Sequence, residues 1–166
     1  MITERDYEVA KENLDARQAF LDGIDMEKYA PFVKRIRNRD KTHIGRNFTI
    51  GTNSCFNLGR QAIIHVGNSA FQDYSSADFY NVIVHHEGVH AKQLYNDPLT
   101  LLDVGKNTMG TIFKKPKLLK KMLVMEVEAY GNQMEHPSFE ECSPRYQEKI
   151  WNRHELLATY VDNNFE

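Results

Sequence analysis

The sequence predicts a mainly helical α+β fold, one domain over residues 1–166, with a two- or three-stranded sheet ahead of its central helix. Three observations predict it. Apolar residues recur at helical spacing along most of the chain. The period changes only between residues 47 and 66, where β-branched residues are bounded by Gly, Asn and Ser. No repeat, low-complexity run or linker interrupts the 166 residues, and a 41% hydrophobic content suffices for one core.

In chain order, Thr3 caps a first helix that runs to Leu21, with Tyr7, Ala10, Leu14 and Leu21 on one face and Gly23 as its stop. A shorter helix is expected over Pro31–Arg37. Asn47–Ile50 and Gln61–Val66 read as strands, with Gly51–Ser54 and Gly59 as turns. Ser75 then opens the central helix, and Asp78 three residues later completes a capping box. Phe79, Val82, Ile83, His86, Val89 and His90 share one broad face of it. Pro98 ends it near Asn96 and Asp97. A short helix over Pro98–Val104 and a loop over Asn107–Gly110 follow. Pro116 sits in the first turn of a helix reaching Gln133, and His136-Pro137 closes it. Ser143-Pro144 starts the last helix, to about Asp162, with Tyr146, Ile150, Trp151, Leu157 and Val161 inward.

Charge narrows the partners. With 21 basic and 23 acidic residues, the net charge of −2 gives no field for nucleic acid or anionic membrane. Two basic clusters (Lys34, Arg35, Arg37, Arg39, Lys41 and Lys114, Lys115, Lys117, Lys120, Lys121) lack interleaved aromatics and read as solvated faces. No apolar run approaches a membrane span, and Glu4, Arg5 and Asp6 put charge near the start, unlike a signal peptide. A cytoplasmic protein is therefore expected, with Cys55 and Cys142 as reduced thiols.

The chemistry gathers at His86-Glu87-Gly88-Val89-His90, an H-E-x-x-H segment. With 7 His in the chain, such a match arises by chance in roughly 2% of equivalent sequences, so its context must carry the rest. On a helix, positions i and i+4 share a face, and both imidazoles reach one metal ion. The intervening glutamate then lies beside the open coordination position, as zinc hydrolysis needs. A third ligand is required. Gln93 and Asn96 stand where the longer H-E-x-x-H-x-x-G-x-x-H pattern has Gly and His, which excludes that solution. Another common solution is a glutamate on a later helix, and Glu126 and Glu128 compete for the role. Met122, Met125 and Ala129 mark the buried side of that helix, which favours Glu126, and 35 residues between His90 and Glu126 allow an antiparallel return.

H-E-x-x-H followed by E-x-E-A on a second helix resembles the gluzincin class of zinc metallopeptidases, the class of thermolysin. The short length resembles its minimal, single-domain members, and the fold implied is zincin-like. The resemblance covers about residues 60–134. It makes His86 and His90 the histidine ligands, Glu87 the catalytic glutamate and Glu126 the glutamate ligand. Gln93 also resembles some small members. Tyr130 departs from the pattern, since many members have Asp or Asn four residues after the ligand. The class further implies an edge strand that aligns substrate, for which residues 61–66 and Gly67–Ala70 are the candidates.

The expected activity is hydrolysis of an internal peptide bond in a protein or peptide substrate. Zn2+ lowers the pKa of a water toward ~7, and Glu87 takes and returns its proton. Tyr130, His136, Arg153, His154 and Tyr160 are candidates to stabilise the oxyanion, with Tyr130 and His154 carried forward beside Glu87 as catalytic candidates. His154 shares a helix face with Ile150 and Leu157 and fits a core histidine equally. His65 reads as structural, and His85, about 100° around the helix from His86, as a surface or packing residue. The alternative function is a structural protein that keeps the fold and metal within a larger protein assembly, such as a virion. A third is a nucleic-acid-associated protease using the lysine clusters.

Overall fold

The structure is a computed structural model that describes residues 3–40, 48–51, 62–98, 112 and 114–165. Cys55, Lys41, the turns at 52–54 and Gly59, the loop at 107–110 and nearly all of the expected 98–104 helix lie outside the described residues.

The N-terminal helical stretch is broken in two. Helices α1 (Glu4–Glu12) and α2 (Leu14–Asp22) meet at Asn13, whose backbone is extended and whose side chain accepts from Asp15 N–H. Asn13 thus ends one helix and caps the next, because its short amide competes for backbone bonds at that point. Arg17 seals the junction. Its Nε donates to Ala10 O and its Nη2 to Lys11 O, satisfying carbonyls at the α1 terminus. The kink turns Leu14 outward, 59% exposed, against the expectation that it faced the core.

Residues expected as a helix over Pro31–Arg37 instead form strand β1 (Val33–Arg39). The cause is legible. Val33 and Ile36 both face inward at a spacing of three, which imitates a helix, but a register shift between Val33 and Arg35 produces that spacing. Strands β2 (Phe48–Gly51) and β3 (Ala62–Gly67) complete a mixed sheet of order β1-β3-β2, with β1 parallel and β2 antiparallel to β3. The candidate substrate-aligning strand is therefore central and not an edge, since it is hydrogen-bonded on both sides. The basic residues Lys34, Arg35 and Arg39 decorate an edge strand, a common way to block further strand addition. Gln18 reinforces this block. Its side chain donates to Ile36 O and accepts from Asn38 N–H, as a neighbouring strand would.

Two short helices, α3 (Ala70–Asp73) and α4 (Ser76–Asn81), lead into a π-helical turn (Val82–Glu87) and then α5 (Gly88–Asn96). Ser75 caps α4 by accepting from Asp78 N–H. Asp78 does not close the capping box. Its carboxylate accepts from Ser143 N–H and Oγ–H, both at 2.8 Å, across the fold. Tyr7, Phe20, Phe48, Phe71 and Phe79 pack as rings with centroids 4.8–6.1 Å apart. Such pairs contribute about 0.5–1.5 kcal/mol each beyond area burial, so they hold the start of the central helix firmly.

The C-terminal half is a helical hairpin. Helix α6 (Pro116–Glu135) runs to His136, whose imidazole accepts from Ser138 N–H and caps a short 3-10 turn (Pro137–Glu141). Helix α7 (Pro144–Asn164) returns with Tyr146, Ile150 and Leu157 buried. Trp151, expected inward, is 63% exposed, because it lies about 100° around the helix from Ile150. Lys121 pairs with Asp97 and Lys120 donates to Phe165 O, so two lysines of the second basic cluster are committed within the chain. One buried cluster gathers residues from Tyr7 to Ile150, and the structure is a mainly helical α+β fold. Among the described residues no helix is long and apolar enough to cross a membrane.

Candidate metal centre

His86 ends the π turn with Glu87, and His90 lies in the first turn of α5. The wider turn is marked by Gly88 N–H donating to Ile83 O, five residues back. Such π segments recur at functional sites because they re-aim side chains. Here the two imidazoles meet edge to face, with Nε2 to Nε2 at 3.2 Å. Across from them, on α6, the Glu126 carboxylate places Oε2 3.6 Å from His86 Nε2 and Oε1 3.6 Å from His90 Nε2. One ligand atom from each residue can be chosen so that all lie within 4.8 Å of one another.

Hydrogen bonds fix the protons. Gln93 Nε2 donates to Met125 O at 3.0 Å and to Glu128 Oε2 at 2.8 Å, so its Oε1 is left to accept. His90 Nδ1–H donates to that oxygen at 2.7 Å. Gln133 Nε2 likewise donates to Asn81 Oδ1 at 2.8 Å and Tyr146 Oη at 2.6 Å. His86 Nδ1–H therefore donates to Gln133 Oε1 at 2.9 Å. Both histidines carry a proton on Nδ1, and both Nε2 atoms are turned to one spot beside a carboxylate.

That arrangement calls for a cation. Two lone pairs 3.2 Å apart repel unless a proton or a metal ion lies between them. Burial opposes charge on His90, but Glu126, then Glu87 and Gln93, outweigh it and push its pKa up to about 9. Burial likewise opposes charge on Glu126, yet hydrogen bonding to His86 and His90 holds its carboxyl well below the usual range. The donor set also fits a small divalent ion. Two imidazole nitrogens and one carboxylate are the donor types that zinc takes. His86 and His90 are buried, whereas the Glu126 side chain is 35% exposed.

Glu87 is buried, and its charge acts on both His90 and Tyr130. Tyr130 tilts against His86 with ring centroids 4.6 Å apart. Burial, and next the Glu126 charge, raise its pKa, with Arg153 working in the other direction, so the phenol stays a proton donor. His154 lies half-buried on α7, its Nε2 3.8 Å from where a Cβ on Gly131 of α6 would stand. His136 stacks on His85 at 3.7 Å, and Tyr160 is exposed on α7. His85 is a packing residue, and burial, followed by His136 and Lys28, lowers its pKa to about 4. Glu128 is held by Gln93, out of the ligand group.

The sequence reading missed Gln133, Asn81 and Tyr146, which fix His86, and Tyr29, which packs on Gly88. Only Gly88 hinted at the last, as a glycine inside a helix usually marks a close approach. No family model, curated protein or solved structure matches the chain.

Proposed function

We propose that this protein is a zincin-like, zinc-dependent peptidase of gluzincin type, acting on an internal peptide bond of a protein or peptide substrate. The observation that carries this reading is the convergence of two Nε2 lone pairs and the Glu126 carboxylate beside Glu87. His86, His90 and Glu126 would hold the metal. When bound, zinc supplies Lewis acidity, acidifying water and polarising a carbonyl.

The chain's own groups do the rest. Gln93 and Gln133 keep both imidazoles in the ligating tautomer. Glu87 accepts a proton from the attacking water and delivers it to the leaving nitrogen. Tyr130, kept protonated, donates to the oxyanion that develops on the carbonyl oxygen. His154, packed at Gly131, has no part in the reaction under this reading.

The test uses zinc-loaded protein and a library of random-sequence peptides, with products read by mass spectrometry. Wild type is expected to cut library members at internal bonds, and Glu87→Gln to retain zinc while losing at least 100-fold in rate. Equal cleavage by Glu87→Gln, or no cleavage by zinc-loaded wild type, would contradict the reading.

A further inference from the structure

We propose that Tyr29 is a positioning strut that sets the separation of the two ligand-bearing helices, and with it the bite of the metal site; this rests on the metal reading above. The turn Glu27–Tyr29 lies far from the ligands in sequence, yet Tyr29 is only 1% exposed. One side of its ring lies flat on the backbone of Gly88, the residue between Glu87 and the second half of the motif. A Cβ at Gly88 would stand 2.6 Å from Tyr29 Cδ2, 2.9 Å from Cγ and 3.0 Å from Cε2. No side chain fits there, so backbone and ring are in direct contact.

The far end of the same ring reaches α6. The Tyr29 hydroxyl donates to Asn132 Oδ1 at 3.0 Å. Lys28 Nζ donates to the same oxygen at 3.4 Å and stands 5.3 Å from the ring centroid. Asn132 is on the helix that carries Glu126, and Gly88 on the segment that carries His86 and His90. A rigid aromatic group therefore spans the two helices whose spacing fixes the separation of imidazoles and carboxylate. A hydroxyl shift at one end, or loss of the ring at the other, changes that spacing without touching a ligand.

The experiment compares wild type, Tyr29→Phe, Tyr29→Leu and Asn132→Leu, each shown to be folded by circular dichroism. Zinc affinity is read by chelator competition and ligand geometry by the visible spectrum of the cobalt-loaded protein. Tyr29→Leu is expected to bind zinc about tenfold more weakly, with an altered cobalt band, and Tyr29→Phe and Asn132→Leu to show a smaller loss in the same direction. Wild-type zinc affinity and an unchanged cobalt band in the folded variants would overturn the strut. Should Tyr29→Leu fail to fold, the two milder variants decide by the same criteria. If wild type itself binds neither zinc nor cobalt, the metal reading falls and takes the strut with it; if wild type binds, only the strut is at stake.

Discussion

At the scale of single residues, proton placement decides what the site can do. Two glutamines, each with its amide nitrogen occupied elsewhere, leave two histidines no option but Nδ1–H. Gln93→Ala and Gln133→Leu should each weaken zinc binding by about 10–100-fold in a chelator competition, although neither touches the ion. Gln93 lies one turn from His90 and could be noticed in the sequence; Gln133 could not, because it meets His86 only through tertiary packing of residues 47 apart. The metal-free protein should also carry a pH signature. His90 has a folded pKa of about 9 against an ordinary 6.5, so its stabilising contribution is complete below 6.5 and is lost as pH rises through 9. Thermal unfolding in chelator should therefore show a fall in stability between pH 6.5 and 9.5 that His90→Gln removes.

At the scale of elements, the helices were readable where caps and proline agreed with periodicity. Ser75, Pro116 and Ser143-Pro144 each begin the element they announce. The failures have local causes. A bulge gave β1 a helical spacing of apolar residues, and Asn13 split one amphipathic stretch into two helices by capping the second. The π turn was invisible, since no residue type encodes it. Gly88 is the element-level constraint that the motif itself leaves unspecified. Gly88→Ala should cost about 1–3 kcal/mol in denaturant unfolding, from overpacking against Tyr29. Alanine is the better helix former, so an unchanged or raised stability would show that the ring can move aside.

At the scale of the whole molecule, the candidate site joins parts remote in sequence. The central helix supplies two of the candidate ligands and the C-terminal hairpin the third, with Asp78 bonded to the α7 cap and Tyr146 bonded to Gln133. The order of the sheet was not legible, because strand pairing depends on partners that no local pattern names. Which carboxylate faces the histidines was half legible: buried spacing favoured Glu126, and the clasp of Glu128 by Gln93 explains why the other stands aside. A metal that bridges these parts must stabilise the whole. Zinc at 100 times its dissociation constant should add about 2.7 kcal/mol, a rise of roughly 5–10 °C in Tm, and His86→Ala should abolish that rise.

Under the proposed function, two imidazoles and one carboxylate of this chain surround a single ion. X-ray absorption at the zinc K-edge of the loaded protein addresses it most directly. Two nitrogen ligands with imidazole scattering and oxygen ligands are expected, all at about 2.0–2.2 Å, with one imidazole lost in His90→Ala. A first shell containing sulfur at about 2.3 Å, or one unaltered in His90→Ala, would contradict it.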